Sequence, residues 1–150
     1  VRPKPLTLAT LVWGLCLLGA HPRAIPSPPP SSISLELEAG EKTIEAWAAF
    51  SKEDLEKGLS GVLWLRENEG MIFVLPKNVK ARFHMKGVTI PLSIAWLDRR
   101  GRILKIEDMD PEQPERIYEA PDRARYALEM NRGWFERNDI KAGDRVRRKS

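Results

Sequence analysis

Cysteine is nearly missing from this chain. The one such residue, Cys16, falls inside an apolar N-terminal run, so a chain that lost this run would hold none. Disulfides, a thiolate nucleophile and cysteine-based zinc sites are then excluded from the folded part. Histidine is scarce too. His21 and His84 are far apart in sequence, which excludes a histidine-rich metal centre within one chain. Motifs that announce an activity are also absent: no P-loop, no dinucleotide glycine fingerprint, no Gly-x-Ser-x-Gly and no zinc-protease helix. Nor is there much surplus of one charge. The net charge is +4, of which Arg2 and Lys4 supply two. That small surplus, without a basic stripe or stacking aromatics, gives no expectation of a nucleic-acid partner.

What is present begins with an address. Arg2 and Lys4 precede an uncharged, leucine-rich run over residues 6–20. The run is short for a spanning helix, which needs ~20 apolar residues, and it suits the core of a secretion signal. Residues 1–24 are therefore expected to be a signal peptide. Cleavage is expected after Ala20, where the run ends Leu18, Gly19, Ala20, with Ala24 as the alternative; Pro22 disfavours the latter. Leu15 is too bulky for a lipid-modified Cys16, and an uncleaved N-terminal anchor is the competing reading. Residues 25–32, IPSPPPSS, read as an extended linker, because proline donates no N–H and fixes φ. Residues 33–150 are expected to form one globular domain. It would be monomeric and exported to the periplasm, cell envelope or medium, and would meet a membrane only through its N-terminal segment.

Hydrophobic periodicity places strands at 43–50, 71–75, 81–86, 92–97, 102–109, 123–130 and 145–147, with a weaker one at 34–37. In 81–86, Phe83 and Met85 point one way and Arg82, His84 and Lys86 the other. In 123–130, Tyr126, Leu128 and Met130 are expected inward, Arg125 and Glu129 outward. Ser51 followed by Glu53 and Asp54 is a helix start, and Gly58 and Gly61 end that helix. A second short helix is expected over 131–138, capped by Asn131 and carrying Trp134 and Phe135. Residues 98–101 form a hairpin turn with Gly101 free to take positive φ. Links are hairpin-sized rather than βαβ crossovers. The expected fold class is α+β, mainly β: a small antiparallel barrel-like or sandwich domain of about seven strands and two short helices.

Across most of 44–146 the residues also form a recognisable order. It runs Gly58-Leu59, Gly70-Met71-Ile72-Phe73-Val74, Phe83-His84-Met85-Lys86 and Ile90-Pro91-Leu92-Ser93-Ile94, with Asp98 and Gly101. It closes with Tyr118, Pro121, Leu128-Glu129-Met130, Gly133, Ile140 and Gly143-Asp144-Arg145-Val146. Taken together, this order and spacing resemble the domain of unknown function 192 family (DUF192), an uncharacterised prokaryotic family. The resemblance implies a small β-barrel-like fold, frequent export and no established activity. The chain departs from the family pattern where Trp usually stands (His84), where Asn-Thr stand (Gly87-Val88), where Asp stands (Ser93) and where Arg stands near Val62. A shared polar site would be partly lost here.

The sharpest local chemistry is Arg82, His84 and Lys86 on one strand face. A carboxylate, sulfate or phosphate could sit across them, with Arg82 as a fork and Lys86 as a point charge. Glu129 is the candidate partner for His84 or Lys86, and a His–Glu pair is the minimal acid–base arrangement. The plain alternative is a solvated strand face. Met71, Met85, Met109 and Met130 suit core packing better than copper. Trp47, Trp64, Trp96 and Trp134 suit the core better than a sugar platform, and the acids of 107–115 lack an EF-hand spacing. No cofactor and no metal are expected. The leading expectation is an exported binding or accessory module whose ligand-binding residues are Arg82, His84, Lys86 and Glu129. Its partner would be a small molecule, a polymer or an envelope protein. The alternative is a small hydrolase or lyase acting on an envelope or extracellular polymer, with His84 and Glu129 as catalytic acid and base.

Overall fold

The structure, a computed structural model, describes residues 33–77 and 79–150. The expected signal peptide and linker, 1–24 and 25–32, lie outside the described residues. Nine strands and two short helices follow in chain order: β1 Ser34–Ala39, β2 Lys42–Ala49, α1 Lys52–Lys57, β3 Glu69–Val74, β4 Arg82–Phe83, β5 Leu92–Leu97, β6 Ile103–Met109, β7 Tyr118–Glu119, β8 Tyr126–Asn131, α2 Trp134–Arg137 and β9 Val146–Arg148. Seven of the strands form one sheet in the order β6-β5-β8-β3-β2-β1-β9, and β4 pairs with β7 in a second, two-stranded sheet. The class is the mainly β one expected from the sequence. All neighbours are antiparallel except β2 and β3, which run parallel. The sheet is mainly antiparallel, as expected, and this pair corrects the expectation that no crossover link occurs. The connection over 50–68 carries α1 and is long enough for the crossover that parallel strands require.

The sheet is covered on both faces. One face carries Leu37, Ile44, Ile72, Leu128 and Trp134, and the other Met71, Phe73, Ile94, Trp96 and Ala127. That explains the unbroken apolar runs of β3 and β5, whose side chains alternate between two cores. The first cluster includes Ile103 near one sheet edge and Val146 at the other, so it fills the inside of a curled, half-barrel sheet. The two edges meet at one point. Arg102 bridges Arg145, Ile103 N–H donates to the Asp144 carbonyl at 2.8 Å, and Val146 N–H donates to the Gly101 carbonyl at 2.9 Å.

Gly101 makes that seam possible. Its φ is +73°, and a Cβ there would collide with the Val146 carbonyl oxygen. Gly101→Ala is therefore expected to destabilise the domain by roughly 2–3 kcal/mol, the combined effect of left-handed backbone strain and a steric clash. Thermal unfolding measures this directly; an unchanged melting temperature would show that the seam does not hold the sheet.

Helix α1 starts as expected: the Ser51 hydroxyl accepts from Asp54 N–H at 3.1 Å and donates to the Asp54 carboxylate at 2.6 Å. Helix α2 is shorter than expected and its N-cap is Gly133, not Asn131. Asn131 remains in β8, and its side-chain amide donates to the Arg66 carbonyl at 2.8 Å. Its polar group is therefore committed to the connection before β3 rather than to the helix. The strand expected over 81–86 is only two residues long. Gly87 turns the chain at φ +74°, with Val88 N–H donating to the Met85 carbonyl, and pairing ends where the turn begins. Among the described residues no helix is long and apolar enough to cross a membrane.

Candidate functional site

The end of α1, the centre of β8 and the segment around β4 enclose a cavity of about 350 Å³. Its apolar walls include Leu55 and Leu59 from α1 and its end, with Phe73 of β3, Phe83 of β4 and Val88 beyond the turn. Phe83 is held edge-on between two rings, 4.9 Å from Phe73 and 5.2 Å from Trp96 between centroids. All four residues singled out in the sequence, Arg82, His84, Lys86 and Glu129, border this one cavity.

Glu129 is not on an outward face. β8 is an interior strand between β5 and β3, apolar clusters cover the sheet on both faces there, and the register places Glu129 beside Met71 and Ile94. Both neighbours are fully buried, and Glu129 itself is only 5% exposed. Among the described residues no hydrogen bond or ion pair reaches its carboxyl group. Burial alone pushes its pKa up to about 8, because the charged form loses its hydration without gaining a partner. Around neutral pH the group is mostly protonated, and it can then donate one hydrogen bond and accept another.

The basic residues have other partners than Glu129. Arg82 donates to Glu119 Oε1 through Nε at 3.0 Å and Nη2 at 2.8 Å, and Lys80 lies 3.2 Å from the same carboxylate. Hydrogen bonds from Arg82, then Lys80, hold the Glu119 pKa below its usual value. Lys86 pairs with Glu115 at 2.7 Å. These pairs are exposed and exchange readily with solvent or a competing anion. His84 Nδ1 accepts from Lys86 N–H at 3.3 Å, which leaves Nε2 as the ring's donor. The expected contact of Glu129 with His84 or Lys86 is thus replaced by local and cross-loop partners. Glu56 and Lys57 add the remaining titratable groups on the α1 side of the cavity.

Glu119 and the α1 wall were not visible as site elements in the sequence. The Ser51 cap and the Leu55/Leu59 spacing predict the helix, but nothing local says that it stands over β8. The strand β7 that delivers Glu119 is two residues long, too short for a periodic signal. Two of the departures from the family pattern, His84 and Val88, border the cavity. Ser93 faces the other way, paired in register with Met130; its buried hydroxyl donates to Asp108 at 2.5 Å and accepts from Gly133 N–H at 2.8 Å. The four methionines are buried, as the packing reading expects. Among the described residues no cluster of His, Cys, Asp or Glu could hold a metal ion.

The sequence matches the family model described as DUF192, Uncharacterized ACR, over residues 35–148. The chain belongs to the DUF192 family. Solved structures share the fold of this DUF192 domain. One, from Sinorhizobium meliloti 1021 and provisionally described as a transcription regulator, is 24% identical with a TM-score of 0.69, over 77% of this chain and 92% of that one. Another, a protein of unknown function from Novosphingobium aromaticivorans DSM 12444, is 27% identical with a TM-score of 0.68, over 83% and 93% of the two chains. Curated proteins show no significant match.

Proposed function

We propose that this DUF192 domain is an exported binding module whose cavity takes a small acid that also carries hydroxyl or carbonyl groups. The observation that carries the reading is Glu129, a buried carboxyl that has no partner among the described residues, at a cavity of ligand size. A protonated carboxyl recognises a hydroxyl or carbonyl by accepting and donating at once. Arg82, Lys86 and His84 Nε2 suit the ligand's anionic end, with Glu119 and Glu115 as counter-ions that the ligand displaces. Phe83 and Phe73 suit the apolar edges of a compact molecule. Export rests on the reading of residues 1–24, which N-terminal sequencing of secreted material tests.

A thermal-shift screen of the full chain with glucuronate, galacturonate and related hydroxy acids, followed by calorimetry on the best probe, tests the binding reading. His84→Ala and Glu129→Leu are each expected to weaken that probe by about tenfold, the loss of one hydrogen bond to a charged or buried group. Unchanged affinity in both variants discards this cavity as the site. The raised Glu129 pKa also favours a second reading, in which Glu129 acts as a general acid on the same class of ligand. Turnover of a binding probe that Glu129→Gln abolishes, with binding retained, would favour it.

A further inference from the structure

The half-barrel has a second opening, on the inner face of the sheet and away from Glu129. Helix α2 packs Trp134 and Phe135 into the inner core, and the seam at Gly101 closes part of its edge. The rest of the opening is a cavity of about 390 Å³ lined by Leu35, Ile72, Val74, Leu97 and Tyr126. These residues share one face by register: Val74 pairs with Tyr126, Tyr126 with Leu97, and Ile72 with Leu128. Val74 remains 43% exposed, so the apolar row runs out to solvent uncovered.

Four arginines border the same cavity. Arg99 and Arg100 stand on the β5–β6 hairpin, and Arg147 and Arg148 on β9. Arg148 is in register with Leu37, on the side that faces the inner core. None of the four joins an ion pair among the described residues. Lys149, the next residue, is paired with Glu36 at 3.4 Å. Asp98 lies close enough to feel Arg100, but its Oδ1 already accepts the backbone N–H groups of Arg100 and Arg102. An apolar slot with unpaired guanidinium groups at its mouth is complementary to a molecule with an alkyl chain and an anionic head. Arginine suits a carboxylate head in particular, since its planar fork matches the two oxygens.

We propose that the open end of the half-barrel binds a single-chain carboxylate amphiphile, its alkyl chain along Ile72, Val74 and Leu97 and its head among Arg99, Arg100 and Arg148. The site is separate from the cavity at Glu129 and does not depend on it. Calorimetric titration of the full chain with decanoate, kept below its micellar concentration, tests it. One decanoate is expected per chain. Decan-1-ol, which has the chain without the charge, should bind about tenfold more weakly, and acetate should not bind measurably. Combining Arg99→Ser with Arg100→Ser, both exposed, should weaken decanoate about tenfold and leave decan-1-ol unchanged. Val74→Asp should weaken both, while Glu129→Gln should affect neither. Absence of saturable decanoate binding overturns the proposal, as does binding indifferent to the arginine and Val74 variants. Association with anionic phospholipid vesicles but not with decanoate also overturns it, and would make this face a membrane-contact surface instead.

Discussion

Glu129→Gln is expected to stabilise the domain at about pH 9 and to leave it nearly unchanged at about pH 4, measured as the melting temperature of each protein across that range. Linkage sets the sign. The folded-state pKa of Glu129 is raised from 4.5 to about 8. Below about 4.5 the group is protonated in both the folded and unfolded chain, and the substitution changes little electrostatically. As pH rises towards 8, the unfolded chain ionises while the folded one cannot. The wild type therefore loses stability through this window and the glutamine variant does not. Each tenfold change in proton affinity between the two states corresponds to ~1.4 kcal/mol. The difference above pH 8 is then on the order of 5 kcal/mol, or roughly 15 °C for a domain of this size. Parallel pH profiles for the two proteins would mean that Glu129 has a hidden partner, and the cavity would lose its free carboxyl. A buried carboxyl that lowers stability at neutral and alkaline pH is the signature of a group retained for function rather than for stability.

Trp96→Ala carries the other large effect. Trp96 is fully buried, its Nε1 donates to Glu107 at 2.9 Å, and its ring packs perpendicular to that of Phe83 at the cavity wall. Removing it is expected to destabilise the domain by about 3–5 kcal/mol. Ligand binding should fall as well, because Phe83 loses one of the two rings that hold it. Trp134→Ala should cost about as much stability, since Trp134 is equally buried and its indole donates to Asn68 at 2.9 Å. It lies in the core on the other face, so binding at the Glu129 cavity should persist in the folded protein. Equal loss of binding in both variants would show that the two cores are coupled through the sheet.

The candidate site was legible in residue type but not in arrangement. Alternation over 81–86 anticipated that Arg82, His84 and Lys86 are exposed and Met85 buried, but the strand itself stops at Phe83, and Phe83 borders the same cavity as the three basic residues. Period-two patterning also separated Glu129 from Leu128 and Met130. It could not say that the side opposite Leu128 was another core, because a lone glutamate among apolar residues reads the same at a wet surface and at a buried cavity. The partners Glu119 and Glu115 lie 37 and 29 residues from Arg82 and Lys86. No local rule connects charges at that distance.

By itself the sequence determined the mainly β class, most strand positions, the Ser51 cap, the turn at Gly101 and the family resemblance. Each of these depends on side-chain periodicity or backbone freedom within a few neighbouring residues. Tertiary structure alone decided the parallel crossing of β2 and β3, the seam between the sheet edges, and the burial of Glu129 between Met71 and Ile94. It also left four arginines without an ion pair among the described residues, beside an apolar opening. These features depend on which strands become neighbours, and that choice minimises the exposed apolar surface of the whole chain rather than of any one segment.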